Sequence, residues 1–454
     1  MAISSIGVGS NLPLAELLDN LRTSEESKLT AITTRQKNVD ARISAYGQLK
    51  NELTNVSTAA KALLEDAFDS MKATVVGSDF TATATTGALA GDYRIKVNTL
   101  ATTQSLAMTG QASRTEGIGS GGKISFTING QTKEIDLATT GTSLNDIVGA
   151  INGQEDLGVR ATILNNGSDA PYQLILSTTK TGTDAAVTSI SVSGNTELDT
   201  LMKFGSEDST VTESAASNAL LEINGVSISS QSNTVTNVLD GVTLTLKGTS
   251  EAGNSLSVSG DSQGVKDAIK TFVDRYNEVL KKVKQVTAFD VENQTMSALT
   301  GDSLARKIQT RMGDILNTTS GSGAFSMLSQ IGIRTDPISG QLKIDDAVLS
   351  KALTEKPVDV QALFRGDSGV AAKAMAITEA FTDAKVGLLV TASEGASKQR
   401  KDLDRQYTSA QARIDAQVEI YRKQFAAMDA MVAQMNTTSS YLTQQLSLLG
   451  SQKS

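Results

Sequence analysis

Apolar residues recur at steps of three and four near both ends of the chain. In the first stretch Val39, Ile43, Tyr46, Leu49, Leu53, Val56, Ala60 and Leu63 follow one another in this way. In the last stretch Leu403, Tyr407, Ala410, Ile414, Val418, Tyr421, Phe425, Met428, Val432 and Met435 do the same. Such spacing draws a narrow apolar stripe along one side of a helix, and a partner helix must cover it. Asn11, Pro13 and Glu16 predict the start of the first helical stretch, whose pattern lapses from Thr23 to Thr34 and then resumes. Gly47 inside the pattern predicts a bend. A helix running from Pro13 to Met71 would be about 90 Å long at about 1.5 Å per residue.

After Val76 the period drops to two. Asp92–Val97, Ile124–Ile128 and Val242–Leu246 alternate as half-buried strands do. Asn129-Gly130 and Asn224-Gly225 sit between such runs, the pair preferred where both turn residues need positive φ. After the first, Leu144, Ile147, Val148 and Ile151 predict a short helix, which Ser143 and Asp146 open as a capping box. After the second, Val235, Val238, Leu239 and Val242 repeat that spacing, so the pattern predicts two copies of a hairpin followed by a helical turn. Two nested β-rich lobes follow from this reading.

Helical spacing returns at Gly264, where Val265, Ile269, Phe272, Val273, Tyr276, Val279, Leu280 and Val283 form a wide, core-facing stripe. Residues 303–316 and 370–381 predict further helices, with a small hairpin over 332–344 between them. The last long helix is predicted to begin near Ala396, with Lys398-Gln399-Arg400-Lys401 opposing its dipole and loosening that end.

At 454 residues there is room for roughly three domains. The pattern divides the chain into a terminal helical leg (1–47 and 385–454), a helical bundle with a hairpin (48–74 and 262–384), an inner β-rich domain (75–108 and 212–261) and an outer one (109–211). The fold class is α+β multidomain, a discontinuous α-helical coiled-coil stalk formed by both chain ends with nested β-rich head lobes inserted between them. Residues 1–11, short and rich in Gly and Ser, are expected to be disordered in isolation.

The chain has no Cys and no His, and aromatics are only 4%. Thiol nucleophiles, disulfides, the usual zinc ligands and the side chain that titrates near neutrality are therefore missing. That composition argues against an enzyme and against a cofactor. The net charge of −8 is uneven: residues 77–260 hold 9 basic and 18 acidic groups, the remainder 32 and 31. An acidic head repels nucleic acid, while balanced helices suit interhelical ion pairs. No run approaches the roughly 20 apolar residues of a membrane span. The first nine residues lack a basic start and a continuous apolar run, so export, if it occurs, is expected to bypass a cleaved signal.

Three motifs reduce to local structure. Gly117-Ile118-Gly119-Ser120-Gly121-Gly122 spells a dinucleotide fingerprint, but an alternating strand follows where a helix is required, so it reads as a flexible loop. Arg365-Gly366-Asp367 spells an adhesion tripeptide at an element end and reads as a loop between helices. Asp336, Asp345 and Asp346 lack the spacing of a calcium loop; Asp345 instead predicts a helix cap before Ala347. The seams carry more. Val39, Ile43, Tyr46, Leu49, Leu53, Leu403, Tyr407, Ile414, Val418, Tyr421, Phe425, Met428, Val432 and Met435 are the candidate partner or oligomer surface, and methionines such as Met428, Met431 and Met435 adapt to more than one partner.

Five signatures, in this order, resemble the flagellar filament capping proteins, the hook-associated protein 2 family. They are Ile6-Gly7-Val8-Gly9-Ser10-Asn11, the paired Ile-Asn-Gly units, and Phe272-Val273-Asp274-Arg275-Tyr276-Asn277-Glu278. The others are Gly332-Ile333 through Gly340-Gln341-Leu342-Lys343-Ile344-Asp345 to Leu363-Phe364, and Phe425-Ala426-Ala427-Met428 through Ser440-Tyr441-Leu442. The outer lobe carries only the first Ile-Asn-Gly unit. The resemblance implies a non-enzymatic, secreted assembly factor exported by the flagellar type III route. It implies a closed homo-oligomeric ring at the filament tip, under which flagellin folds and polymerises. It further implies contact with the hook-filament junction protein, and a cytoplasmic export chaperone on the C-terminal helix. Two other classes remain open: a tip adhesin whose outer lobe binds mucin or glycan, and another axial component that itself polymerises.

Overall fold

The computed structural model describes residues 10–137, 141–317, 323–366 and 368–451, so Ile6-Gly7-Val8-Gly9 and Asp367 lie outside the described residues. Ten α-helices are described: α1 (Leu14–Glu26), α2 (Thr30–Glu65), α3 (Leu144–Asn152), α4 (Thr196–Met202), α5 (Ser262–Thr287), α6 (Ser303–Leu316), α7 (Asp346–Glu355), α8 (Pro357–Arg365), α9 (Val370–Thr382) and α10 (Leu388–Ser451). The chain divides into two compact units, one of Asp66–Val265 and one formed by Met1–Glu65 with Lys266–Ser454.

The helical unit joins the two chain ends. α2 packs on α8, α9 and α10, and α1 packs on α10. The first helical stretch is interrupted: Ser27–Leu29 form a 3-10 turn where the apolar pattern lapses, and the helix ends at Glu65 rather than Met71. Gly47 lies inside α2. The wide stripe of α5 is core, with Ile269, Phe272, Val273, Tyr276, Val279 and Val283 all buried. On the same helix Asn277 clamps the small hairpin (Ile333–Thr335 with Leu342–Ile344), donating to the Leu342 carbonyl at 2.9 Å and accepting from its N–H at 2.7 Å. Asp345 accepts from the N–H groups of Ala347 and Val348 and caps α7.

α10 begins eight residues before the predicted start. Its first turns, with Leu389 and Ala396 buried, pack against α9 and α2, so they follow the spacing of a bundle core and not of a two-helix seam. The basic run 398–401 therefore lies well inside the helix, and the expectation of a loosened end there is overturned. Arg365 is likewise occupied: its guanidinium donates to the carbonyls of Leu63 and Glu65 (3.2 and 2.8 Å), closing the C-terminus of α2.

The β-rich unit holds two apolar cores. One gathers Phe80, Ile95, Val97, Leu221, Leu244 and Leu256. It is built from a five-stranded antiparallel sheet (in order Met71–Val76, Asn254–Gly260, Gly91–Thr99, Ala219–Ile223, Val226–Ser230) and a three-stranded one (Thr234–Leu239, Val242–Leu246, Phe80–Ala84). The other gathers Leu106, Phe126, Ile147, Leu174, Ile190 and Leu198, with α3 and α4 on its sheets. Gln104, 2% exposed, ties this second core together, donating to the Val187 carbonyl and to Glu213 and accepting from the Val187 N–H.

Both Asn-Gly turns adopt positive φ at each residue (48° and 71°, 50° and 85°). The capping box of Ser143 and Asp146 opens α3. The second copy of the proposed repeat is different. Val235 to Val242 is a β-hairpin, not a helical turn. Asn237, at φ 61°, sits where the register shifts between Val235 and Leu239. A bulge adds a residue to one strand, which turns a period of two into spacings of three and four and so imitates a helix. The glycine-rich run 117–122 is a loop held by Asn195, whose amide donates to the carbonyls of Ile118 and Gly121.

Candidate functional site

Polar pairs between the two ends of the chain define their register. The Ser10 N–H donates to Asp429 (2.7 Å), Arg22 faces Asp415 (3.8 Å), and Gln36 donates to Asp404 (2.8 Å). Arg400 holds Asp40 through Nε at 2.9 and 3.0 Å to its two oxygens, and also pairs with Asp404 on its own helix. Each advance along α1 and α2 is a retreat along α10, so the terminal helices are antiparallel. Ser10 is buried, whereas the Arg22, Gln36 and Arg400 pairs are exposed, and the role of these is register more than stability.

Between the polar pairs lies a thin apolar strip. Val39 and Leu403 form one cluster with Ala396, flanked by Ile32 and Ile43. Tyr46, Leu49 and Leu53 are buried, and from Tyr46 onward the α2 stripe belongs to the helical core rather than to a free surface. Ile414 is buried as well; Tyr407, Val418, Tyr421, Phe425 and Val432 are half-buried. Met428 and Met435 are 38% and 64% exposed, and Met431, Tyr441, Leu442 and Leu446 are exposed as well. The candidate residues thus form a gradient, closed at Leu53 and open at Met435.

Three features escaped the sequence. The first is the junction of seam and bundle, where the Tyr46 hydroxyl donates to Asp302 Oδ2 at 2.6 Å and Arg42 lies over the Tyr46 ring. Burial, and secondarily the Asp302 carboxylate, push the phenol above its ordinary range, against the Arg42 hydrogen bond. The second is the Gln36–Asp404–Arg400–Asp40 chain; only its Arg400–Asp404 member, four residues apart, was open to a pattern reading. The third is a groove of about 340 Å³ beside Gly47, lined by Tyr46, Leu389, Val390, Ser393 and Ser397 and bordered by Lys50, Lys398 and Lys401. Among the described residues no group of His, Cys, Asp and Glu is arranged to hold a metal ion, and no helix is long and apolar enough to cross a membrane.

Known proteins are similar to this chain over nearly its whole length. Residues 10–104 match the family described as Flagellar hook-associated protein 2 N-terminus, and residues 216–437 match Flagellar hook-associated protein 2 C-terminus. The flagellar hook-associated protein 2 of Escherichia coli K12 is 35% identical over 98% of this chain and 98% of its own length. That of Salmonella typhimurium LT2 is 36% identical, covering 99% of each. The crystal structure of the Escherichia coli flagellar cap protein, comprising its D1, D2 and D3 domains, superposes with a TM-score of 0.65 at 32% identity, over 78% of this chain and 99% of that one.

Proposed function

Because this chain belongs to the flagellar hook-associated protein 2 family, non-enzymatic structural proteins of the flagellar filament cap, we propose that it forms a closed ring of identical subunits at the distal tip of the filament, outside the cell, and there promotes the folding and polymerisation of flagellin. In this reading residues 1–47 with 385–454 are the leg, 48–74 with 262–384 the bundle above it, and 75–108 with 212–261 and 109–211 the inner and outer parts of the plate. Its partners are flagellin, the hook-filament junction protein and, before export, a cytoplasmic chaperone on the C-terminal helix.

The observation that carries this reading is the gradient along the antiparallel terminal helices. A ring placed on a helical lattice meets a different gap under each subunit. A leg anchored by Leu49 and Leu53 but exposing Met428, Met431 and Met435 is fixed at one end and adaptable at the other. Exposed ion pairs such as Asp40–Arg400 add register at little energetic cost when broken. Purified chain added to flagellated cells lacking their own cap should move flagellin from the medium onto filaments; unchanged shedding would reject the reading.

A second role, adhesion through the outer lobe, has one supporting observation. A cleft of about 490 Å³ at its border with the inner lobe is lined by Asn129, Gln131, Thr179 and Asp184 of the outer lobe and by Gln231 of the inner one. Removing residues 109–211 should abolish mucin binding while leaving polymerisation intact.

A further inference from the structure

Two surfaces of the helical unit are complementary, and neither is covered by the described residues. The first is the groove beside Gly47. A Cβ added at Gly47 would meet nothing within 4 Å, so the missing side chain leaves an opening in the face of α2. The floor joins the apolar Leu389 and Val390 to the small Ser393 and Ser397, the Ser397 hydroxyl being turned onto the Ser393 carbonyl. The rim carries Lys50, Lys398 and Lys401 against a single acid, Glu394, and none of these four is in an ion pair among the described residues.

The second surface is the hairpin of Phe289–Asp290 and Thr295–Met296 that follows α5. Phe289, Val291 and Met296 are 51%, 76% and 74% exposed. Phe289 and Met296 are cross-strand partners and share one face. Asp290 accepts from the N–H groups of Glu292 and Asn293 and from the Asn293 amide, which fixes the turn. The hairpin therefore presents a preformed apolar knob with two negative charges, Asp290 and Glu292. Exposing three large apolar side chains on so short an element is unfavourable unless something covers them.

Tyr46 lines the groove, and its hydroxyl binds Asp302, six residues beyond Met296. A knob on one copy that fills a hole on the next makes a head-to-tail contact, and such a contact gives a ring when its rotation closes and a helix when it does not. We propose that the 289–296 hairpin of one subunit seats in the Gly47 groove of a second copy of this chain, its carboxylates against Lys50, Lys398 and Lys401. The proposal rests on the ring reading above only for closure; the pairing itself stands on shape and charge.

Absence of native cysteine makes the test direct. Full-length Val291→Cys and Ser397→Cys chains, mixed and oxidised, should give a disulfide-linked dimer that neither gives alone. The Val291→Cys/Ser397→Cys double variant should give a ladder of covalent multimers. A monomer closed on itself, or no cross-linking at all, overturns the proposal. In parallel, Lys398→Glu/Lys401→Glu and Glu292→Lys chains, the latter leaving the Asp290 turn intact, should each self-associate about tenfold more weakly, and their equimolar mixture should recover most of that loss. Gly47→Leu, which fills the opening on a helix that tolerates Leu, should weaken association similarly. Rings that persist by electron microscopy in the Gly47→Leu chain overturn this contact and leave the cap reading standing. Rings of the parent chain that form but fail to retain flagellin overturn the cap reading and leave the contact standing.

Discussion

Tyr46 and Asp302, 256 residues apart in sequence, are joined by a 2.6 Å hydrogen bond in which the carboxylate does two things at once. Oδ2 accepts from the phenol, while Oδ1 accepts from the N–H groups of Leu304 and Ala305 and caps α6. Tyr46→Phe removes one function and should cost about 1.5–3 kcal/mol, the range for a hydrogen bond to a charged group. Asp302→Ala removes the cap as well and should cost more. Denaturant unfolding of the helical unit checks this, and a double-mutant cycle should show coupling above about 0.5 kcal/mol.

If the proposed function holds, the gradient along the terminal helices should separate stability from function. Leu53→Ala, at a fully buried position, should destabilise the helical unit by about 2–5 kcal/mol. Met435→Ser, on the open end, should change stability by less than about 0.5 kcal/mol. Calorimetry checks both. In the capless-cell assay Met435→Ser combined with Met428→Ser should nevertheless raise flagellin shedding, which a purely structural seam would not.

Register in the antiparallel pair should depend on salt. Arg400→Ala removes the contacts to Asp40 and Asp404. Amide exchange across residues 30–43 should quicken in the variant at low salt and converge with the parent chain at about 1 M, where exposed charges are screened beyond about 3 Å. A difference that survives high salt would contradict an electrostatic register.

Alkaline pH should act through Tyr276. Burial pushes its phenol up to about 12 from an ordinary value of about 10. The unfolded chain therefore releases this proton first, so stability is full below about pH 10 and declines between about pH 10 and 12, by about 3 kcal/mol. Tyr276→Phe should flatten that part of the profile, as followed by circular dichroism against pH.

Much of the helical architecture was legible because single helices that face a core keep one period, as α5 does from Val265 to Val283. The strands and both Asn-Gly turns were legible for the same local reason. The start of α10 was not, because Leu389 and Ala396 answer to α9 and α2, whose positions the sequence does not reveal. The hairpin around Asn237 was misread because one left-handed residue changes the apparent period. Within the candidate surface the stripe itself was visible. Which part of it is buried was not, since α10 runs on past Asp429, the last of its described polar partners at the start of the chain.

That pairing joins residues as far apart as Ser10 and Asp429, separated by 419 positions. Whether the chain emerges from a ribosome or from a narrow export conduit, its opening helices must wait for the final segment before they can be covered. The β-rich insert, complete by Val265, is free to mature during that delay. Assembly of the subunit is thereby timed from its tail: the last helix to arrive is also the one that tells the first where to lie.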